Sequence, residues 1–122
     1  MRIGFGYDSH SFDDDRDCIL GGVVIPGVPG LSGFSDGDAL SHAVIDALLG
    51  AVCLGDIGQH FPPGDERWRD ADSMGLLRRV VSLVHQVGYR VGNIDVTVVC
   101  EVPKIGLVAE RIRRTLAGVL EV

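Results

Sequence analysis

The sequence predicts an α+β fold for a single domain spanning residues 1–122. Three observations carry that reading. Ile94, Val96, Val98, Cys100 and Val102 alternate with Asn93, Asp95, Thr97 and Glu101, the period of a half-buried strand. Leu40, Ala43, Val44, Ala47, Leu48 and Ala51 follow the i, i+3, i+4, i+7 spacing of a buried helix face, and two further runs share it. Between the chain start and the first helix lies a Gly-punctuated region with the marks of short strands and turns.

Arg2 to His10 alternates loosely and reads as a strand, with Gly4 and Gly6 marking close approach of backbone or ligand. It ends in Asp8-Ser9-His10, and residues two apart in an extended chain face the same way. Ser11 to Asp17 is a polar loop whose acidic run reads as a solvated turn. Cys18–Leu20 and Val23–Ile25 flank Gly21-Gly22 as a hairpin. Pro26 to Gly33 is loop and delivers the chain to Ser35-Asp36-Gly37-Asp38, where three residues can cap the first helix. His42 sits about one turn into that helix. Asp46, four residues on, lies on the same face and is a candidate partner for the second ring N–H of His42. Asp56 to Asp72 is a long loop of the kind that often carries function. Asp72-Ser73 caps a second helix to about Gln86, with Leu76, Leu77, Val80, Val81, Val84 and Val87 inward. After Pro103-Lys104-Ile105-Gly106 a third helix turns Val108, Ile112, Leu116, Val119 and Leu120 inward.

Composition narrows the function. A net charge of −6 disfavours nucleic acid, which requires basic patches, and gives an anionic substrate no long-range attraction. Any positive charge must be local. Three cysteines, odd in number and in apolar runs, read as reduced core residues of a cytosolic protein. No signal peptide and no membrane span is expected. Asp8, His10 and His42 form a candidate two-His, one-carboxylate set, the ligand number of a catalytic zinc with an open position.

Gly4-Phe5-Gly6-Tyr7-Asp8-Ser9-His10, Ser35-Asp36-Gly37-Asp38 with His42, Asp46-Ala47-Leu48-Leu49-Gly50, Leu54-Gly55-Asp56-Ile57-Gly58, Phe61-Pro62, Ala71-Asp72-Ser73 and Pro103-Lys104-Ile105-Gly106 occur in that order. Together they resemble 2-C-methyl-D-erythritol 2,4-cyclodiphosphate synthases of non-mevalonate isoprenoid biosynthesis, from residue 2 to the end of the chain. The resemblance implies a two-layer subunit, a mixed β-sheet with helices on one face, assembled as a homotrimer. It implies zinc on Asp8, His10 and His42, and magnesium or manganese as a second metal. Substrate-binding positions then fall on Asp8, His10 and Phe34. On the diphosphate and erythritol side they fall on Ser35, Asp56, Ile57, Gly58, Phe61, Pro62 and Asp65. Pro103, Lys104, Ile105 and Gly106 take the cytidine from the adjacent subunit. The implied reaction is attack of a 2-phosphate on the β-phosphate of a cytidine diphosphate ester, releasing CMP and a cyclic diphosphate. A site lined by Asp8, Asp36, Asp38 and Asp56 would repel that substrate unless a metal offset them.

Three features depart from the resemblance. Phe34 stands where the family usually has a histidine, and Phe cannot donate a hydrogen bond. Pro63 replaces the acidic residue after Phe61-Pro62, and Gly64 follows. The family's Thr-Thr-Glu stretch, with the Glu ligand of the second metal and the strands completing the sheet, does not occur in the 122 residues. The expectation is therefore the N-terminal and central part of a synthase domain, a fragment or truncated chain. A second reading is a non-catalytic homologue that binds zinc and a cytidine nucleotide. A third is a zinc hydrolase acting through activated water.

Overall fold

Glycines that tolerate positive φ set the first element: Gly21 at +57° and Gly22 at +74° turn the chain between β2 (Cys18–Leu20) and β3 (Val23–Ile25), which pair antiparallel. The computed structural model describes residues 1–122. A second, two-residue ladder joins β1 (Phe12–Asp13) to β4 (Gly30–Leu31). Helices α1 (Ala39–Ala51), α2 (Ile57–His60), α3 (Ser73–Gln86) and α4 (Ala109–Leu120) follow, with single 3-10 turns at Glu66–Trp68 and Ile105–Leu107.

The caps lie where the sequence puts them. Asp38 accepts from the Ser41 amide and opens α1, and Asp72 accepts from the Met74 amide and opens α3. The core forms where α3 packs between α1 and α4, with Ile45, Leu49, Leu77 and Val80 fully enclosed and the β2–β3 hairpin packed alongside. On α4, Ile112, Leu116 and Leu120 point inward, while Glu110 pairs with Arg113 and Arg114 at 3.2 and 3.0 Å on the outer face. Val87, expected inward, is exposed because α3 ends one residue before it. Of the three cysteines expected in the core only Cys18 is buried; Cys53 lies past the end of α1 and Cys100 on a segment with no strand partner, and both are exposed.

The mixed sheet expected from the sequence does not form. Arg2–His10 and Ile94–Val102 run without turn or helix over most of their length, yet residues 1–10 and 90–103 make no backbone–backbone hydrogen bond. Alternation selects which side chains can face a core; it does not supply a neighbouring edge, and neither segment meets one. Both line a trough of about 1120 Å³ together with Ala43, Ala47 and Ala51 of α1. Ile3, Phe5, Tyr7, Val96 and Val99 are exposed as a result. Of the alternating run, only Ile94 and Val98 pack against the core.

The N-terminal segment is nevertheless fixed in place. A Cβ at Gly4 would fall 1.8 Å from the Ala47 carbonyl oxygen, and one at Gly6 would fall 1.8 Å from that of Ala43. Only glycine lets this backbone lie flat on α1. That close approach carries Asp8 and His10 to His42.

Candidate metal centre

Two local causes deliver the Asp8, His10, His42 set. Asp8 and His10 share a face of the segment seated on α1. His42 is held in the first turn of α1, 6% exposed, its amide bonded to the Asp38 carbonyl at 3.0 Å. His10 Nε2 lies 2.6 Å from Asp8 Oδ2, and His42 Nδ1 lies 3.3 Å from the same oxygen. One ligating atom from each of the three residues fits within 4.8 Å of the others. The spacing expectation is met in three dimensions.

The surroundings set the ring tautomers. His10 Nδ1–H donates to the Ser32 carbonyl, which leaves Nε2 as the ligating nitrogen. His42 Nε2 lies 3.2 Å from Ser35 Oγ and 3.7 Å from Asp36 Oδ1, which leaves Nδ1 facing Asp8. Gly33 makes room for the first ring: a Cβ there would come within 3.2 Å of His10 Cε1. Two oriented imidazoles and a carboxylate converging on one point suit a divalent cation, and the donor set is one that zinc accepts.

Burial would raise the Asp8 carboxyl, but hydrogen bonds from His10 and His42 outweigh it and hold its pKa at about 2. The hydrogen bond to Asp8 lifts His10 above its ordinary value, against the effect of burial. A cation must displace the proton on His10 Nε2, so metal affinity should fall as pH drops through the raised His10 value, beginning above pH 6.5. Metal-free folding stability should follow the opposite logic on the basic side. The His10 contribution is fully present below the unfolded value of 6.5 and disappears as pH rises through the folded one. The Asp8 contribution is present above 3.8 and disappears as pH falls toward about 2. Metal titrations across about pH 5–9 follow the first, and denaturant melts carried from about pH 9 down to about pH 2 follow the second.

Other sequence assignments move. Asp46 does not touch His42; its Oδ1 accepts from the Ile57 amide at 2.8 Å. The helix turn between them explains the change: Asp46 faces the start of α2, and so fixes Asp56-Ile57-Gly58 one turn along α1 from His42. Asp56 caps α2 through the Gln59 amide at 2.9 Å, and the Gly58 amide has no acceptor within the chain. Asp38 does not face a substrate. It is fully buried and accepts five hydrogen bonds, from the Gly21, Gly22 and Ser41 amides and the Ser41 and Ser73 hydroxyls. Asp36 is likewise engaged, by the Asp38 and Ser73 amides.

Ser35 lies beside the centre through its Oγ, and Phe34 precedes it with its ring under the Arg69 guanidinium. Phe61 packs edge-on against Trp68 at 4.9 Å, and Asp65 is gripped by the Arg67 side chain, with Nη2 2.6 Å from Oδ2. Pro62 accepts from the Asp65 amide. Pro103, Lys104, Ile105 and Gly106 lead into α4, and no hydrogen bond joins them to the triad. Sequence reasoning missed Ser32 and Gly33, which orient and accommodate His10, and Arg16, which ties Leu31 and Ser35 to Asp70. A carbonyl acceptor leaves no side-chain signature, and Gly33 meets His10 only through the folded loop, so neither was visible in the sequence.

The whole chain, residues 1–122, matches the model of the YgbB family. A 2-C-methyl-D-erythritol 2,4-cyclodiphosphate synthase from Gloeobacter violaceus is 55% identical over 120 residues, covering 98% of this chain and 74% of that protein. The synthase from Xanthomonas oryzae pv. oryzae is 50% identical over 122 residues, covering all of this chain and 75% of that one. Among solved structures, the bifunctional IspDF from Campylobacter jejuni superposes with a TM-score of 0.93 at 37% identity, over 99% of this chain and 33% of that larger one. A cyclodiphosphate synthase in a CDP-bound form gives 0.91 at 38% identity, over 98% of this chain and 80% of the other. The chain belongs to the YgbB family, the family of the 2-C-methyl-D-erythritol 2,4-cyclodiphosphate synthases.

Proposed function

We propose that this chain converts 4-diphosphocytidyl-2-C-methyl-D-erythritol 2-phosphate to 2-C-methyl-D-erythritol 2,4-cyclodiphosphate and CMP. An oxygen of the 2-phosphate bonds to the β-phosphorus. The bond from that phosphorus to the bridging oxygen breaks, and its electron pair leaves with CMP. No water enters. The reading is supported most by the convergence of His10 Nε2 and His42 Nδ1 on Asp8 Oδ2, in a chain of this family.

In this reading Asp8, His10 and His42 hold zinc. A divalent cation there supplies Lewis-acid polarisation of a phosphoryl oxygen and neutralises charge. The chain's own residues do the positioning on which phosphoryl transfer depends. Ser35 stands beside His42, and the free Gly58 amide points from the turn that Asp46 fixes; both suit substrate phosphate or hydroxyl oxygens. Phe34, Phe61, Pro62, Asp56, Ile57 and Asp65 complete the diphosphate and erythritol side. Two related structures were solved with CDP, one of them from Plasmodium falciparum. Pro103, Lys104, Ile105 and Gly106 would take the cytidine of a neighbouring subunit's substrate, which makes a homotrimer the working unit. A second divalent metal, magnesium or manganese, belongs to the same reading, as does a cytoplasmic setting; no helix is long and apolar enough to cross a membrane.

The test is CMP release by zinc-loaded protein given the substrate with magnesium. Metal-dependent turnover that a chelator abolishes is expected. Nucleotide binding with no release would instead support the non-catalytic homologue, which the comparisons do not favour.

A further inference from the structure

The side chains around the centre are acidic, with Asp8 and Asp36 among them, and the chain carries a net charge of −6. A diphosphate substrate would gain from cationic donors here in addition to the metal. Two arginines lie against the Phe34–Ser35 strip, and they differ in how far they are committed. Arg16 is committed to the chain through both terminal nitrogens: Nη1 donates to the Leu31 carbonyl at 3.1 Å, and Nη2 donates to the Ser35 carbonyl at 2.8 Å and to Asp70 at 3.1 Å.

Arg69 is held differently. Its guanidinium sits 4.8 Å over the Phe34 ring. Nε and Nη2 donate to Glu66 at 2.7 and 2.9 Å, and Nη1 donates to nothing in the chain. Both partners of that ion pair are largely exposed, at 56% and 72%, so little is lost when a phosphate replaces the carboxylate. The backbone beneath it is anchored. The Asp70 amide donates to the Phe34 carbonyl at 2.9 Å, and Arg16 clamps the Asp70 side chain. Arg69 thus rises from a fixed point beside Phe34. Arg67 and Arg79 stack on Trp68 instead.

We infer that Arg69, seated on the face of Phe34, is a phosphate-binding residue of this site, turning its guanidinium fork from Glu66 onto the terminal phosphate of a nucleoside diphosphate. Phe34 has no donor of its own, but its ring face holds a guanidinium, and a guanidinium offers a planar fork that matches a phosphate. The inference rests on the cyclisation reading above.

The test is calorimetric titration of the zinc-loaded protein with CDP and with CMP, in the parent chain and in Arg69→Gln and Arg69→Lys. Bound zinc is measured in each, since Arg69 touches none of the three ligands. Arg69→Gln should weaken CDP binding about ten-fold or more, the usual worth of a hydrogen bond to a charged group, and weaken CMP binding less. Zinc content should stay unchanged, and Arg69→Lys should retain part of the affinity. Unchanged CDP affinity in Arg69→Gln overturns the inference alone. A parent chain that binds zinc but neither nucleotide overturns the cyclisation reading, and the inference with it.

Discussion

Replacing Asp38 with alanine is expected to unfold the domain or bring it close to unfolding. The carboxylate is fully buried and gathers the β2–β3 turn, the start of α1 and the start of α3 around its two oxygens. Removing it leaves three amides and two hydroxyls without an acceptor in a dry interior, at about 1–3 kcal/mol for each group left unsatisfied. Hydroxyls can rotate away and the site can relax, so the sum is smaller than five full penalties. A loss of at least ~5 kcal/mol is still expected, comparable with the whole stability of an ordinary domain. Asp38→Asn should cost less. Its amide oxygen can serve one pair of donors, but its NH₂ group then meets donors on the other side. Denaturant melts of both variants decide this, and an alanine variant within ~1 kcal/mol of the parent would contradict it.

Replacing His42 with alanine is expected to abolish metal binding while leaving α1 intact. His42 contributes one of three protein ligands, and its Nδ1 lies 3.3 Å from the Asp8 oxygen that His10 also contacts. Disturbing even the groups that orient ligands commonly costs about 10–100-fold in affinity, so loss of a ligand should exceed ~100-fold. Alanine is the best helix former and sits within the first turn, so helical content should hold. Metal analysis after dialysis and far-UV circular dichroism separate the two effects. CMP release should fall with the metal. Retained stoichiometric metal would remove His42 from the centre.

These two side chains lie four residues apart, and the sequence distinguishes them only partly. His42 was legible because an Asp-x-His pair and a histidine in the first turn of a helix make a recognisable ligand set. Asp38 was legible as a cap but not as the acceptor that joins three elements, since its partners come from positions 17 residues upstream and 35 downstream. Asp46 shows the same limit: helical spacing placed it on the face of His42, but the Ile57 amide that claims it belongs to another segment. The hairpin and the three long helices follow from local signals, namely paired glycines, capping aspartates and periodic apolar residues. Strand pairing does not. The alternation at residues 94–102 is clear, and the segment still has no ladder, because a ladder is a property of two edges. Arg69 was beyond reach for a related reason: its position over Phe34 depends on how the loop at 65–71 docks.

The central claim is that phosphorus is attacked by a phosphate of the same substrate, and water labelled with oxygen-18 tests it directly. The zinc-loaded protein is given the diphosphocytidyl substrate in labelled water, and the products are followed by phosphorus-31 NMR and mass spectrometry. Cyclisation predicts CMP and an equal amount of cyclic diphosphate, neither carrying solvent oxygen. An open-chain phosphate product with one labelled oxygen would show that the same three ligands activate water, and would contradict the account.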